Sequence, residues 1–184
     1  PVLAATGAKE AVAPIVEGYK SSTGEAQKSA FEGLCALNDA SVLPTLLEAT
    51  ANAELKDKAI ARYIALTGAS NLNNDQKYMN YRKALETNPA LKYKNQALKA
   101  LSATQNYPAM MLAAEYMDNA ETAQAAANTV LEIATKHPEF YSAEVKALLE
   151  KVSATLNDGD AVYKRKDIEK FISENTARAN HSIK

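Results

Sequence analysis

Apolar residues recur along this chain with helical spacing. In residues 8–20, Val12, Ile15, Val16 and Tyr19 fall at i, i+3, i+4 and i+7, which predicts an amphipathic helix broken by Ser21-Ser22-Thr23-Gly24. Residues 25–37 place Phe31, Leu34, Cys35 and Leu37 on one face, and Asn38-Asp39 supplies a turn with an N-cap. A third helix over 42–50 tolerates Pro44 in its first turn, where backbone donors lack intrahelical acceptors. Residues 54–67 turn Leu55, Ala59, Ile60, Tyr63 and Ile64 inward and stop at Gly68, expected to take the left-handed C-terminal conformation.

The pattern continues to the far end. After the polar loop 71–75, residues 76–86 carry Tyr78, Met79, Arg82 and Leu85 on one face and end at Asn88-Pro89. Residues 90–104 pack through Leu91, Ala97, Leu98 and Leu101, and Asn106-Tyr107-Pro108 opens a segment bearing Met110, Met111, Leu112, Tyr116 and Met117. Residues 120–136 offer Ala126, Val130, Leu131 and Ile133 for close packing before His137-Pro138. Residues 140–156 show Tyr141, Val145, Leu148, Leu149, Val152 and Leu156, and a last helix over 161–174 turns Val162, Ile168, Phe171 and Ile172 inward. Residues 175–184 have almost no apolar content and are expected to fray. No stretch alternates with period two long enough to be a strand, so the fold class is all-α.

These segments repeat. Ala11-Val12-Ala13-Pro14-Ile15-Val16 returns about thirty positions later as Ser41-Val42-Leu43-Pro44-Thr45-Leu46. Ala30-Phe31-x-x-Leu34-Cys35 is answered by Ala59-Ile60-x-x-Tyr63-Ile64 and by Ala97-Leu98-x-x-Leu101-Ser102. A two-helix unit with a period of roughly 30 to 38 residues implies a right-handed α-α superhelix, a solenoid of about ten helices in about five hairpins. A lone hairpin cannot bury its apolar stripe, so each unit borrows a face from its neighbour. A single helical-repeat domain over 1–184 is expected, with 8–174 ordered and the charged run Lys164-Arg165-Lys166-Asp167 in a polar terminal cap.

Composition narrows the function classes. Hydrophobic residues make up 47% and charged residues 23%, ordinary for a packed core. The 21 basic and 22 acidic residues leave a net charge of -1, so no global field favours nucleic acid. No apolar run reaches the length needed to cross a bilayer, about 18 residues. The single cysteine, Cys35, excludes an internal disulfide. A start at Pro1, without Met, basic n-region or apolar h-region, is what a processed protein or a fragment would show.

Candidate chemistry is sparse. His137 and His181 lack a second His or Cys at metal-ligand spacing, so no metal site is expected. Cys35 lies on an apolar face, where a thiol behaves as a small hydrophobe of raised pKa. Asn157, Asp158 and Asp160 around Gly159 lack the spaced ligands and closing Glu of a calcium loop and read as a turn with caps. Glu132, Glu139, Glu144 and Glu150 read as solvated surface rather than an acid/base pair, although a site near Glu132 to Glu144 is the one enzymatic alternative. The basic groups Lys56, Lys58 and Arg62, and Lys92, Lys94 and Lys99, are interleaved with acids and read as solvated helix faces. The six scattered glycines match no phosphate loop, so no cofactor is expected. Tyr78, Tyr81, Tyr93, Tyr107, Tyr116 and Tyr141 fall near helix ends and form a candidate contact surface for a partner domain or a sugar; otherwise they form an amphipathic rim of the core.

The Val-x-Pro-x-Leu first helix and the Ala-anchored second helix together resemble HEAT-type repeats over nearly all of residues 8–174. The order of Asp118-Asn119 through Ala134, His137-Pro138-Glu139-Phe140-Tyr141-x-x-Glu144-Val145, and Asp158 to Phe171 resembles the helical region ahead of a 3-keto-disaccharide hydrolase-type, lectin-like domain in Bacteroidetes proteins. The resemblance implies a non-catalytic scaffold, periplasmic or extracellular, in the N-terminal region of a carbohydrate-active protein whose hydrolase domain lies beyond Lys184. It carries no catalytic residue onto this chain. A monomer docking a protein domain, possibly of the same polypeptide, is expected; a stand-alone adaptor for a separate protein or peptide is the alternative.

Overall fold

The structure is a computed structural model that describes residues 9–181. Ten α-helices and four short 3-10 turns, with no strand, make up these described residues. In chain order the helices are α1 (Val12–Ser21), α2 (Gly24–Ala36), α3 (Leu43–Ala49), α4 (Lys56–Ala69) and α5 (Asn74–Glu86), followed by α6 (Leu91–Leu101), α7 (Tyr107–Glu115), α8 (Ala123–Lys136), α9 (Ala143–Thr155) and α10 (Ala161–His181). The chain divides into two compact units, 1–94 and 95–184, with the boundary inside α6.

Local chemistry accounts for the starts and stops. Asp39 caps the 3-10 turn Ala40–Val42 by accepting from the Ser41 amide at 2.8 Å, and Pro44 sits in the first turn of α3. Asn73 and Gln76 form a reciprocal capping box on α5, the side chain of each accepting from the backbone amide of the other at 2.9 and 3.0 Å. Asn106 caps α7 at 2.9 Å, and Ser142 caps α9 at 3.2 Å. Asn88, at φ 48°, turns the chain out of α5 toward Pro89.

In the first unit, α1 packs on α2, α3 on α4, and α4 on α5. Phe31, Leu34, Leu37, Val42, Leu46, Ile60, Tyr63, Leu66 and Leu85 form its core. Polar ties link every second helix: Lys20 to Glu48 at 3.5 Å joins α1 to α3, while Lys28 to Glu54 at 2.8 Å and Lys58 to Glu32 join α2 to the α4 hairpin. The Arg62 guanidinium donates to the Leu37 carbonyl at 2.7 Å, across the same gap.

In the second unit, α8 is central, packing on α7, α9 and α10, with α9 also on α10. Its buried Ala126, Ala127, Val130, Ile133 and Ala134 meet Leu98, Leu101, Met110, Val145, Leu149 and Val152 in the core. The small side chains let the neighbouring backbones come close. Thr129 donates from its hydroxyl to the Leu98 carbonyl at 2.8 Å, joining α6 to α8. Lys151 meets Asp118 at 2.6 Å, and Lys164 binds Asn128 at 2.8 Å, again linking segments about thirty residues apart.

Several expectations are corrected. Gly68 does not end its helix in a left-handed conformation: α4 runs to Ala69 and closes on extended Ser70. What Gly68 provides is room, since a Cβ there would lie 3.2 Å from the Tyr81 hydroxyl oxygen. Leu91 and Val162, expected inward, are exposed because no neighbouring helix covers those faces in their own units. The expected fraying after Glu174 is replaced by helix through His181, while 182–184 lie outside the described residues. The cause is tertiary: Asn175 is buried against the rest of the unit, its amide donating one turn back to the Phe171 carbonyl at 2.8 Å, and the Thr176 hydroxyl pairs with Tyr141 of the preceding segment at 2.7 Å.

Candidate binding groove

A groove of about 700 Å³ opens in the first unit, between α3 and α5 and above α4. Helical periodicity builds both walls. Ala40, Leu43, Pro44, Leu47 and Glu48 recur at i, i+3, i+4, i+7 and i+8, while Gln76, Met79, Asn80 and Lys83 recur at i, i+3, i+4 and i+7. Leu72 closes one end, Asp75 lies on the rim, and Tyr63 of α4 forms the floor. The capping box fixes where α5 begins, and therefore which of its side chains enter the groove.

The groove is mainly apolar inside. Leu43 is buried, Leu47 and Leu72 are half-buried, and Met79 is 44% exposed, one of few large apolar side chains so open to water. Tyr63 is 1% exposed and its hydroxyl hydrogen-bonds to no described residue. Burial pushes its pKa far above that of an ordinary phenol, so the hydroxyl is a neutral donor. One turn along α4, the fully buried Thr67 hydroxyl is likewise without a partner. On the rim, Glu48 faces Lys20 at 3.5 Å, whereas the Lys83 ammonium pairs with no described residue. Neighbouring charges are engaged: Arg82 holds Glu86 at 2.9 Å, and Lys77 donates to the Gly68 carbonyl at 3.0 Å.

The six tyrosines proposed as a contact surface are distributed differently. Tyr81 is 2% exposed, packed inside the first unit, and offers no contact surface. Tyr78 is half-buried, one turn from Arg82; Tyr93 is half-buried with Lys92 Nζ 5.5 Å from its ring centre. In the second unit, Tyr107 donates to Glu144 at 3.1 Å and sets its ring edge on Phe140, which stacks on His137. Tyr141 packs edge-on against Phe171 and meets Thr176, and Tyr116 is half-buried. The most exposed of the large apolar side chains in this unit is Tyr163, at 70%, beside Val162. It lies off the face formed by Ile168, Phe171 and Ile172, so the apolar spacing of α10 gave no reason to single it out.

The four glutamates considered for acid/base work are each tied to a different neighbour: Glu132 to Lys136, Glu139 to His137, Glu144 to Tyr107 and Glu150 to Lys146. The hydrogen bond from His137 holds Glu139 below the usual carboxylate range. Cys35 is half-buried, and burial pushes its thiol up to about 11. No group of three or more His, Cys, Asp or Glu residues suited to a metal ion occurs among the described residues. Asp158 stands in a polar clasp: Lys164, Gln124 and Asn128 all donate to one of its carboxylate oxygens, and Gln124 accepts from the Asn157 amide at 2.9 Å. The charged run expected to form a solvated cap is thus partly structural, for Arg165 also donates to the Ser153 and Leu156 carbonyls.

No helix among the described residues is long and apolar enough to cross a membrane. No protein-family model, curated protein or solved structure matches the chain.

Proposed function

We propose that the chain is a non-catalytic interaction module whose helix pairs stack, within each unit, in the manner of a right-handed HEAT-like α-α solenoid. The sequence period of about thirty residues and the polar ties that skip one helix support that stacking. The observation that carries the functional reading is the α3–α5 groove, an open apolar trough lined at its base by Tyr63, whose hydroxyl has no hydrogen-bond partner among the described residues. Such a trough suits a partner that inserts apolar side chains, as in groove recognition of peptides. The HEAT-type and hydrolase-associated resemblance supports a setting outside the cytoplasm, with a carbohydrate-active domain of the same polypeptide as the docked partner.

The test places a photo-crosslinking benzoylphenylalanine at Met79 in the full polypeptide of the native host, with Glu17 as a control site. A crosslink from Met79 to another domain of the same chain supports docking, and one to a separate protein supports the adaptor form. Crosslinking no greater than at Glu17 overturns the interaction reading, as does glycoside hydrolysis by the purified chain.

A further inference from the structure

We infer, on the basis of that interaction reading, that the α3–α5 groove receives an extended, acidic peptide segment. Three features select this occupant. The first is shape: the stripe from Gln76 to Lys83 runs about 10 Å along α5, matching about three residues of extended chain. An extended segment sends alternate side chains to one side, so residues p and p+2 enter the trough together.

The second feature is the Tyr63 hydroxyl. Its ring is buried, but the hydroxyl lines the groove as a donor with no acceptor among the described residues. A docked helix has already used its backbone carbonyls, whereas an extended strand brings free ones. A strand over Met79 and Leu47 therefore offers Tyr63 an acceptor, while its apolar side chain covers those two residues.

The third feature is charge. Glu48 is already paired with Lys20 and Asp75 also has a partner, but the Lys83 ammonium at the far end of the α5 stripe has none among the described residues. The unmet charge is positive. The segment that satisfies both ends carries an aliphatic or aromatic residue with Asp, Glu or a chain-terminal carboxylate two or three positions away.

The test is selection of a phage-displayed random 12-residue peptide library on the purified full chain, followed by affinity measurement on a synthetic peptide of the consensus. The expected consensus pairs an apolar residue with an acid at that spacing. Lys83→Glu should weaken the consensus peptide at least 10-fold and select basic residues instead. Tyr63→Phe should keep the fold, since the hydroxyl has no partner in it, and weaken binding by about 3- to 10-fold, as for one lost hydrogen bond. Met79→Asp should abolish enrichment while circular dichroism stays unchanged. No enrichment, a consensus without an acid, or an unaltered consensus on Lys83→Glu overturns the inference. If the library yields nothing while the Met79 crosslink forms, the peptide inference falls and the interaction reading stands.

Discussion

Two buried threonines should respond in opposite directions to the same substitution. Thr67 in α4 and Thr129 in α8 are both buried in helices, but the Thr67 hydroxyl has no partner, while Thr129 donates to the Leu98 carbonyl at 2.8 Å. Valine keeps the volume and β-branching of threonine, so packing and helix propensity hardly change. At position 67 the substitution removes a desolvated, unpaired group that costs about 1–3 kcal/mol, and Thr67→Val should stabilise by about 1 kcal/mol. At position 129 it removes the hydrogen bond that ties α8 to the Leu98 carbonyl of α6, so Thr129→Val should destabilise by about 1 kcal/mol. With a urea dependence of about 2 kcal/mol/M, the midpoints should move by about 0.5 M in opposite directions. Urea titration followed by circular dichroism gives the signs, and native-state hydrogen exchange places each change in its own unit. A lowered midpoint for Thr67→Val would refute the reasoning, because it would mean that the hydroxyl is satisfied.

Three further outcomes follow from other parts of the chain. Gly18 lies inside α1 with open space where a Cβ would sit, so Gly18→Ala should stabilise by about 0.5–1 kcal/mol, whereas Gly24, at φ +59°, should lose about 1 kcal/mol on the same change; calorimetry of the pair checks the contrast. Lys164 above all, with help from Asn128, holds the Asp158 carboxyl below the usual range. Its folded pKa is depressed, so the stability it contributes is present above the unfolded value of about 3.9 and lost as pH falls below it. The advantage of wild type over Asp158→Asn should therefore shrink between pH 6 and pH 3, and a constant gap in thermal unfolding would contradict the assignment. Cys35, with its thiol pushed up to about 11, should react with iodoacetamide at pH 8 on the order of 100-fold more slowly than in urea; equal rates would show that the thiol is not buried.

The helices were largely legible from local pattern. Each expected segment became a helix, and Asn73, Asn106 and Ser142 show why the starts fall where they do. The stops were less legible. Gly68 looked like a left-handed terminus, yet the helix passes through it because Tyr81 needs the space its missing side chain leaves. The tail after Glu174 looked too polar to hold, yet Asn175 and Thr176 find partners at Phe171 and Tyr141. The candidate site was hardly legible: Met79 was read as an ordinary member of an apolar stripe, Leu47 was not singled out, and Tyr81 was read as a surface residue.

By itself the sequence determined the all-helical content and most helix starts, because capping and i, i+4 spacing act within a few residues of chain. Only the tertiary structure decided which apolar faces are covered, that Tyr81 is enclosed while Tyr163 stands in water, and that α3 and α5 part over Tyr63 to leave a groove. Exposure depends on what other helices place against a side chain, and those helices lie beyond the range over which local pattern acts.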